Sequence, residues 1–139
     1  MKHPKALLTA GVAFLPACVL ALSSAAAMLP VAHAQEREVS RGEALFNARC
    51  GGCHSLGEHR TGPALGNVLG RVAGKAPDFD YSRALRAATH VWTRDKLLAW
   101  LAGPEALVPG QTMDYSLDAA DERQALVEFL ATVRHKPAT

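Results

Sequence analysis

The chain has 139 residues, 49% of them hydrophobic, with 15 Lys and Arg against 13 Asp and Glu. Two of the basic residues, Lys2 and Lys5, open a segment whose features are those of an export signal, and without it thirteen bases face thirteen acids. The basic balance is then a targeting property, and no nucleic-acid partner is implied.

In chain order, the first segment is that signal, residues 1–34: the basic start, a mostly apolar run over 6–31, and an A-x-A site at Ala32, His33 and Ala34. Cleavage would leave Gln35 first. Pro16, Pro30 and the small residues over 23–27 favour cleavage, and Cys18 reads as apolar filler in the discarded piece. The alternative is an uncleaved membrane anchor, because about 20 apolar residues span a bilayer. Residues 35–139 suffice for one domain but are few for a core made of side chains alone.

Ser40 with Glu43 reads as a capping box opening a helix toward Cys50, with Gly42 and Phe46 on one face. Residues 55–82 are rich in Gly, Pro and polar side chains without a sustained period, which predicts an ordered loop wrapped around something. Thr93 is placed to cap a short helix that runs through Ala102 and stops at Gly103 and Pro104. Asp118 or Asp121 is placed to start the last helix, where Leu126, Phe129, Leu130 and Val133 share one apolar face. No stretch alternates with period two. The expected class is all-α, with few helices and long loops.

The run Cys50-Gly51-Gly52-Cys53-His54 is a C-x-x-C-H sequence, the signature of c-type haem attachment. Two thiols three positions apart each add to one vinyl group, and the adjacent imidazole reaches the iron. A thioredoxin-type pair would follow a strand, whereas residues 44–49 look helical. A zinc site would have to crowd Cys53 and His54 onto one tetrahedral ion with Cys50 and His59. A structural disulfide leaves His54 unexplained.

Six-coordinate iron needs a ligand opposite His54, and Met113, His59, His90 and His135 are the candidates. Met113 is the one methionine outside the signal, and its V-P-G-Q-T-M run over 108–113 is an apolar stretch followed by a turn, just ahead of the last helix. A lone Met more often fills a core. The demand for a ligand reverses that preference here, so the metal ligands put forward are His54 and Met113.

With these residues in view, residues 35–139 resemble the class I cytochromes c, the mitochondrial and bacterial soluble group. The T-G-P-A-L run over 61–65 is similar to a family segment whose proline carbonyl accepts a hydrogen bond from the ligand histidine, which implies that Pro63 orients His54. Gly70 with Arg71, Tyr81 and Trp92 fall where the family places donors to the haem propionates. Gly42, Phe46, Leu126 and Phe129 match positions where the family's first and last helices pack. The chain also departs from mitochondrial members. Trp100 stands where they have a tyrosine near the methionine sulfur, Gln111 where they have threonine, and Leu85 where an asparagine helps hold a water. The loop between His54 and Pro63 is shorter than in those members, a bacterial trait.

The resemblance implies one covalent haem c held by Cys50, Cys53, His54, Pro63, Arg71, Tyr81, Trp92 and Met113. It implies a periplasmic, non-enzymatic carrier of single electrons between transiently bound protein donors and acceptors, with a relatively high potential. Membrane contact would come only from an uncleaved anchor facing the periplasm or through membrane-bound partners. With only Lys75, Lys96 and Lys136 outside the signal, docking is expected to use a small, mostly apolar patch with weak charge steering. The rival functions are a haem-bearing subunit or tethered domain of a larger oxidoreductase, and a peroxidase-like protein with open iron.

Overall fold

The computed structural model describes residues 29–134. The predicted signal up to residue 28, with Cys18, and the candidate ligand His135 lie outside the described residues. Among the described residues five α-helices come in order: α1 (Leu29–Leu45), α2 (Arg83–Ala87), α3 (Arg94–Ala102), α4 (Pro104–Leu107) and α5 (Ala120–Thr132). One π-helical turn, Phe46–Cys50, continues α1 without a break. Among the described residues there is no strand, only a single antiparallel bridge between Val72 and Val91. None of these helices is long and apolar enough to cross a membrane.

The terminal helices α1 and α5 pack against each other, and the contact depends on a missing side chain. A Cβ built on Gly42 would lie 2.6 Å from Cβ of Phe129 and closer still to the carbonyl oxygen of Ala125. Glycine therefore lets the two backbones approach. One turn further on, the rings of Phe46 and Phe129 meet at 5.8 Å, and both side chains are buried. Burying rings of this size stabilises by about 1.5–3 kcal/mol each. Arg41 reaches Asp121 at 2.6 Å across the same crossing, an exposed pair that solvent screens and that adds little to the packing. Helix α3 closes the other side of α5, and Arg94 holds Glu128 through two nitrogens at 3.0 and 3.3 Å.

Two helix starts differ from the sequence expectation. Ser40 caps nothing, because α1 begins at Leu29 and runs straight through it. Pro30 occupies the first turn, where a proline removes no intrahelical bond, and residues 35–38 are mostly good helix formers. Neither Asp118 nor Asp121 caps α5. Its cap is Ala119, with no side-chain hydrogen bond, while Asp121 turns to Arg41 and Arg123 holds the carbonyls of Leu117 and Asp118 at 2.6 and 2.7 Å. Thr93 does cap α3, its hydroxyl accepting from the Lys96 N–H at 3.2 Å. Helices α2 and α4 have no counterpart in the sequence expectation. Ser82 caps the first by accepting from the Leu85 N–H, and Pro104 in the first turn starts the second.

The long loop is folded back on itself and pinned. Leu65 and Gly66 donate to the carbonyls of Ser55 and Leu56, both at 2.9 Å, while Gly70 and Ala73 donate to those of Trp92 and His90. Gly74, at φ 66°, is where the loop passes against the Leu85 carbonyl. These bonds fold residues 55–82 into a wall opposite α3 and α5.

Gly42→Ala should lower the stability of the haem-loaded protein by about 1–3 kcal/mol, since the methyl meets backbone rather than a movable side chain. A guanidinium chloride midpoint within error of the native value would show that the helices have room to separate.

Candidate functional site

The end of α1 sets the first three groups. In the π turn the Gly51 N–H reaches back five residues to the Phe46 carbonyl at 2.8 Å, which widens the helix just before the cysteines. The Cys50 carbonyl then accepts from both Cys53, at 3.0 Å, and His54, at 2.8 Å. That tight turn puts Cys50 and His54 about one helical turn apart on the same side. Both thiols are free, Cys53 exposed and Cys50 mostly covered. Burial, helped by the neighbouring Cys53, pushes the Cys50 thiol up to about 11.

His54 is fixed from two directions. Its Nδ1 lies 2.7 Å from the Pro63 carbonyl, so Nδ1 carries the proton and Nε2 keeps its lone pair. Burial lowers the imidazole pKa, against the opposing effect of the Pro63 hydrogen bond, which favours the neutral ring that binds metals. Gly62 lies directly beneath the ring, and a Cβ there would come within 2.6 Å of Nδ1 and 2.7 Å of Nε2. The Gly62 N–H is bonded to the Cys53 carbonyl at 2.8 Å, which locks the two segments together.

On the far wall stands Met113. The V-P-G-Q run makes a tight turn, with Gly110 at φ 84° and the Gln111 N–H on the Val108 carbonyl at 3.2 Å. The Gln111 side-chain oxygen accepts from the Met113 N–H. Trp100, on α3 and 7% exposed, donates its indole N–H to the Met113 sulfur at 3.3 Å. Its ring packs edge-on against Trp92 at 5.4 Å.

All eight residues put forward for cofactor binding, Cys50, Cys53, His54, Pro63, Arg71, Tyr81, Trp92 and Met113, line one cavity of about 400 Å³. The rest of its wall is largely aliphatic, including Leu65, Val68, Leu85, Leu97, Leu126 and Leu130. Arg71 is tethered to the Ala64 carbonyl at 3.0 Å, and burial lowers its pKa against the opposing effect of Tyr81. Its Nε is buried without a hydrogen-bond partner among the described residues, as is the Tyr115 hydroxyl on the same cavity. A buried polar group left unpaired costs about 1–3 kcal/mol. The unmet donors and the aliphatic walls fit a large apolar group with acidic substituents at one edge. The imidazole and thioether fit an iron centre within it.

Two other candidate ligands sit elsewhere. His59 braces the loop, its Nδ1 accepting from the Ala64 N–H at 3.0 Å and its Nε2 donating to the Pro77 carbonyl at 2.8 Å. Both nitrogens are committed. His90 packs edge-on to Trp92 at 4.7 Å and does not line the cavity. Sequence reasoning named Gly62 only as part of a run and missed both the bracing role of His59 and the place of Tyr115 in the cavity wall. Only the position of Gly62 inside T-G-P was a usable signal, because a single histidine or tyrosine in a loop has no period to read.

The fold and the cavity define a class: a small all-α domain whose centre is completed by a bound prosthetic group. Residues 39–134 match the family described as Cytochrome c. A cytochrome c2 from Agrobacterium tumefaciens (strain II Chrys) is 36% identical over 111 residues, covering 74% of this chain and 99% of that protein. A cytochrome c2 from Afifella marina is 39% identical over 101 residues, 68% of this chain and 81% of its own. The solved structure of cytochrome cH from Methylobacterium extorquens superposes with a TM-score of 0.65 at 31% identity, over 68% of this chain and 97% of that one. The chain belongs to the cytochrome c family as a class I member. It is a haem-binding electron carrier rather than an enzyme, takes one covalent haem c, and exchanges electrons with redox proteins.

Gly62→Ala should displace the His54 ring from the Pro63 carbonyl. The expected result is a shift of the His54 ring-proton NMR resonances and a stability loss of about 1–3 kcal/mol. Unchanged resonances would mean that the loop, not the ring, gives way.

Proposed function

We propose that the protein is a soluble periplasmic one-electron carrier whose haem is joined to Cys50 and Cys53 by thioether bonds, with iron between Nε2 of His54 and the sulfur of Met113. When bound, the haem supplies the Fe(III)/Fe(II) couple. One observation carries the reading: a histidine with its Nδ1 proton committed to Pro63 and a thioether fixed by Trp100 line the same cavity. Pro63 holds the imidazole in a single orientation and increases its basicity. Arg71, Tyr81 and Trp92 would hold the propionates of the bound haem, and the unmet Arg71 Nε would then have a carboxylate to donate to.

The protein's own part in the chemistry is to avoid reorganising. Met113 is a soft donor that favours the reduced ion, and the aliphatic walls disfavour the extra positive charge of the oxidised one. The Trp100 N–H draws electron density from the sulfur, which acts in the same direction. With His54 and Met113 both holding the iron, no open position would remain for a substrate. Covalent attachment keeps the cofactor in a compartment from which a lost haem would not return. Residues 1–34 direct export and are removed, leaving Gln35 first, so that α1 of the exported protein begins there rather than at Leu29.

Met113→Ala should abolish the weak far-red absorption of sulfur-ligated ferric haem and produce peroxidase activity at least about 10-fold above the native protein. A native protein already as active as the variant would mean that Met113 does not hold the iron. Fractionation of expressing cells should recover a soluble haem protein starting at Gln35, and Met1 retained in the membrane fraction would make it a tethered domain instead.

A further inference from the structure

Charge is unevenly divided around the mouth of the haem cavity. The exposed residues of the mouth are Arg49, Cys53, Thr61, Asp80, Thr112 and Asp114. Arg49 adjoins Cys50, and Arg60 is fixed beside it by an N–H on the Gly51 carbonyl at 2.5 Å. Asp80 is paired with Arg86, also at 2.5 Å. On the Met113 side a second hollow, of about 370 Å³, shares Met113, Asp114 and Tyr115 with the haem cavity. Glu105 and Asp114 stand in its wall, and among the described residues no Lys or Arg does. The shape is held from within, because Glu105 accepts from the Gly110 N–H at 2.9 Å through one oxygen and keeps the other.

Resting on the carrier function argued above, we propose that this hollow is a docking notch for a lysine or arginine side chain of a redox partner protein, whose acidic patch meets Arg49 and Arg60. The chemistry of the notch matches a long cationic side chain: Pro104, Met113 and Tyr115 offer apolar surface to the methylene stem, and the two carboxylates receive the head group. The notch shares a wall with the cavity, so a side chain seated in it brings the partner against the Met113 side of the mouth. Because Arg49 adjoins Cys50 and Asp114 adjoins Met113 on the one cavity, a partner turned through 180° would meet like charge beside both residues. Neither Lys75 nor Lys96 lines either hollow, so a uniformly basic docking face is not what these residues present.

The test uses the reduced, haem-loaded protein and tetralysine as the probe. Amide NMR shifts on titration should be confined to residues 103–105 and 111–116, and the peptide should bind about threefold or more weakly to the Glu105→Gln, Asp114→Asn double variant. In parallel, one electron passes from the reduced protein to a cobalt(III) tris-phenanthroline cation, giving cobalt(II) with no bond made or broken. At low ionic strength and equal driving force the double variant should slow this reaction about threefold or more, and Arg49→Gln should speed it. Shifts spread over other acidic residues, or rates that ignore both carboxylates, would overturn the proposal. So would shifts that grow with protein concentration without peptide, which would give the notch to a second copy of the chain. A reduced protein that passes no electron to cobalt(III) or to hexacyanoferrate(III) would instead overturn the carrier function beneath it.

Discussion

The hydrogen bond from His54 to the Pro63 carbonyl is the constraint on which the arrangement of the site depends. It joins the end of the first helix to the loop that forms one wall of the cavity, and it fixes which nitrogen faces inward. Everything around it preserves that bond. Gly62 leaves room for the ring, and the Cys50 carbonyl gathers the turn that presents it. His59 and Arg71 hold the Ala64 backbone immediately after Pro63. A donor and acceptor in adjoining loops would ordinarily wander by more than a bond length. Here each is tied on both sides.

The opposite wall is built on a different principle. Met113 belongs to no helix, and its position comes from a tight turn, a side-chain oxygen on its own N–H, and the Trp100 indole on its sulfur. The histidine side is held by backbone and the methionine side mainly by side chains, so substitutions alter the second more readily than the first. Of the departures from mitochondrial relatives, Trp100 and Gln111 lie on the methionine side, while the shortened loop between His54 and Pro63 lies on the histidine side.

Much of this was legible in the sequence because it is local or periodic. C-x-x-C-H is contiguous and the apolar face of the last helix repeats at helical spacing, so the fold class, Cys50, Cys53 and His54 could be read directly, whereas Pro63, Arg71, Tyr81 and Trp92 entered only through the family resemblance. The failures were all competitive. Ser40 is a good cap, but only if the chain ahead of it is not already helical, and nothing between Pro30 and Ser40 stops a helix. Asp121 is a good cap until Arg41, 80 residues away, offers a charged partner. The unmet Arg71 and Tyr115 groups, and the hollow beside Met113, arise from three-dimensional crowding that no run of residues encodes.

The crossing of the first and last helices also imposes an order in time. Gly42 and Phe46 have no cover until Ala125 and Phe129 arrive, and those residues lie close to the end of the chain. Contacts of such long sequence separation cannot form until the intervening residues are available, and closing that span costs chain entropy. A chain still emerging from a ribosome or a translocation pore therefore has an open centre, with Cys50 and Cys53 reachable from solution. The window closes when α5 docks, so the same packing that completes the domain marks the last moment at which a large group can enter it unhindered.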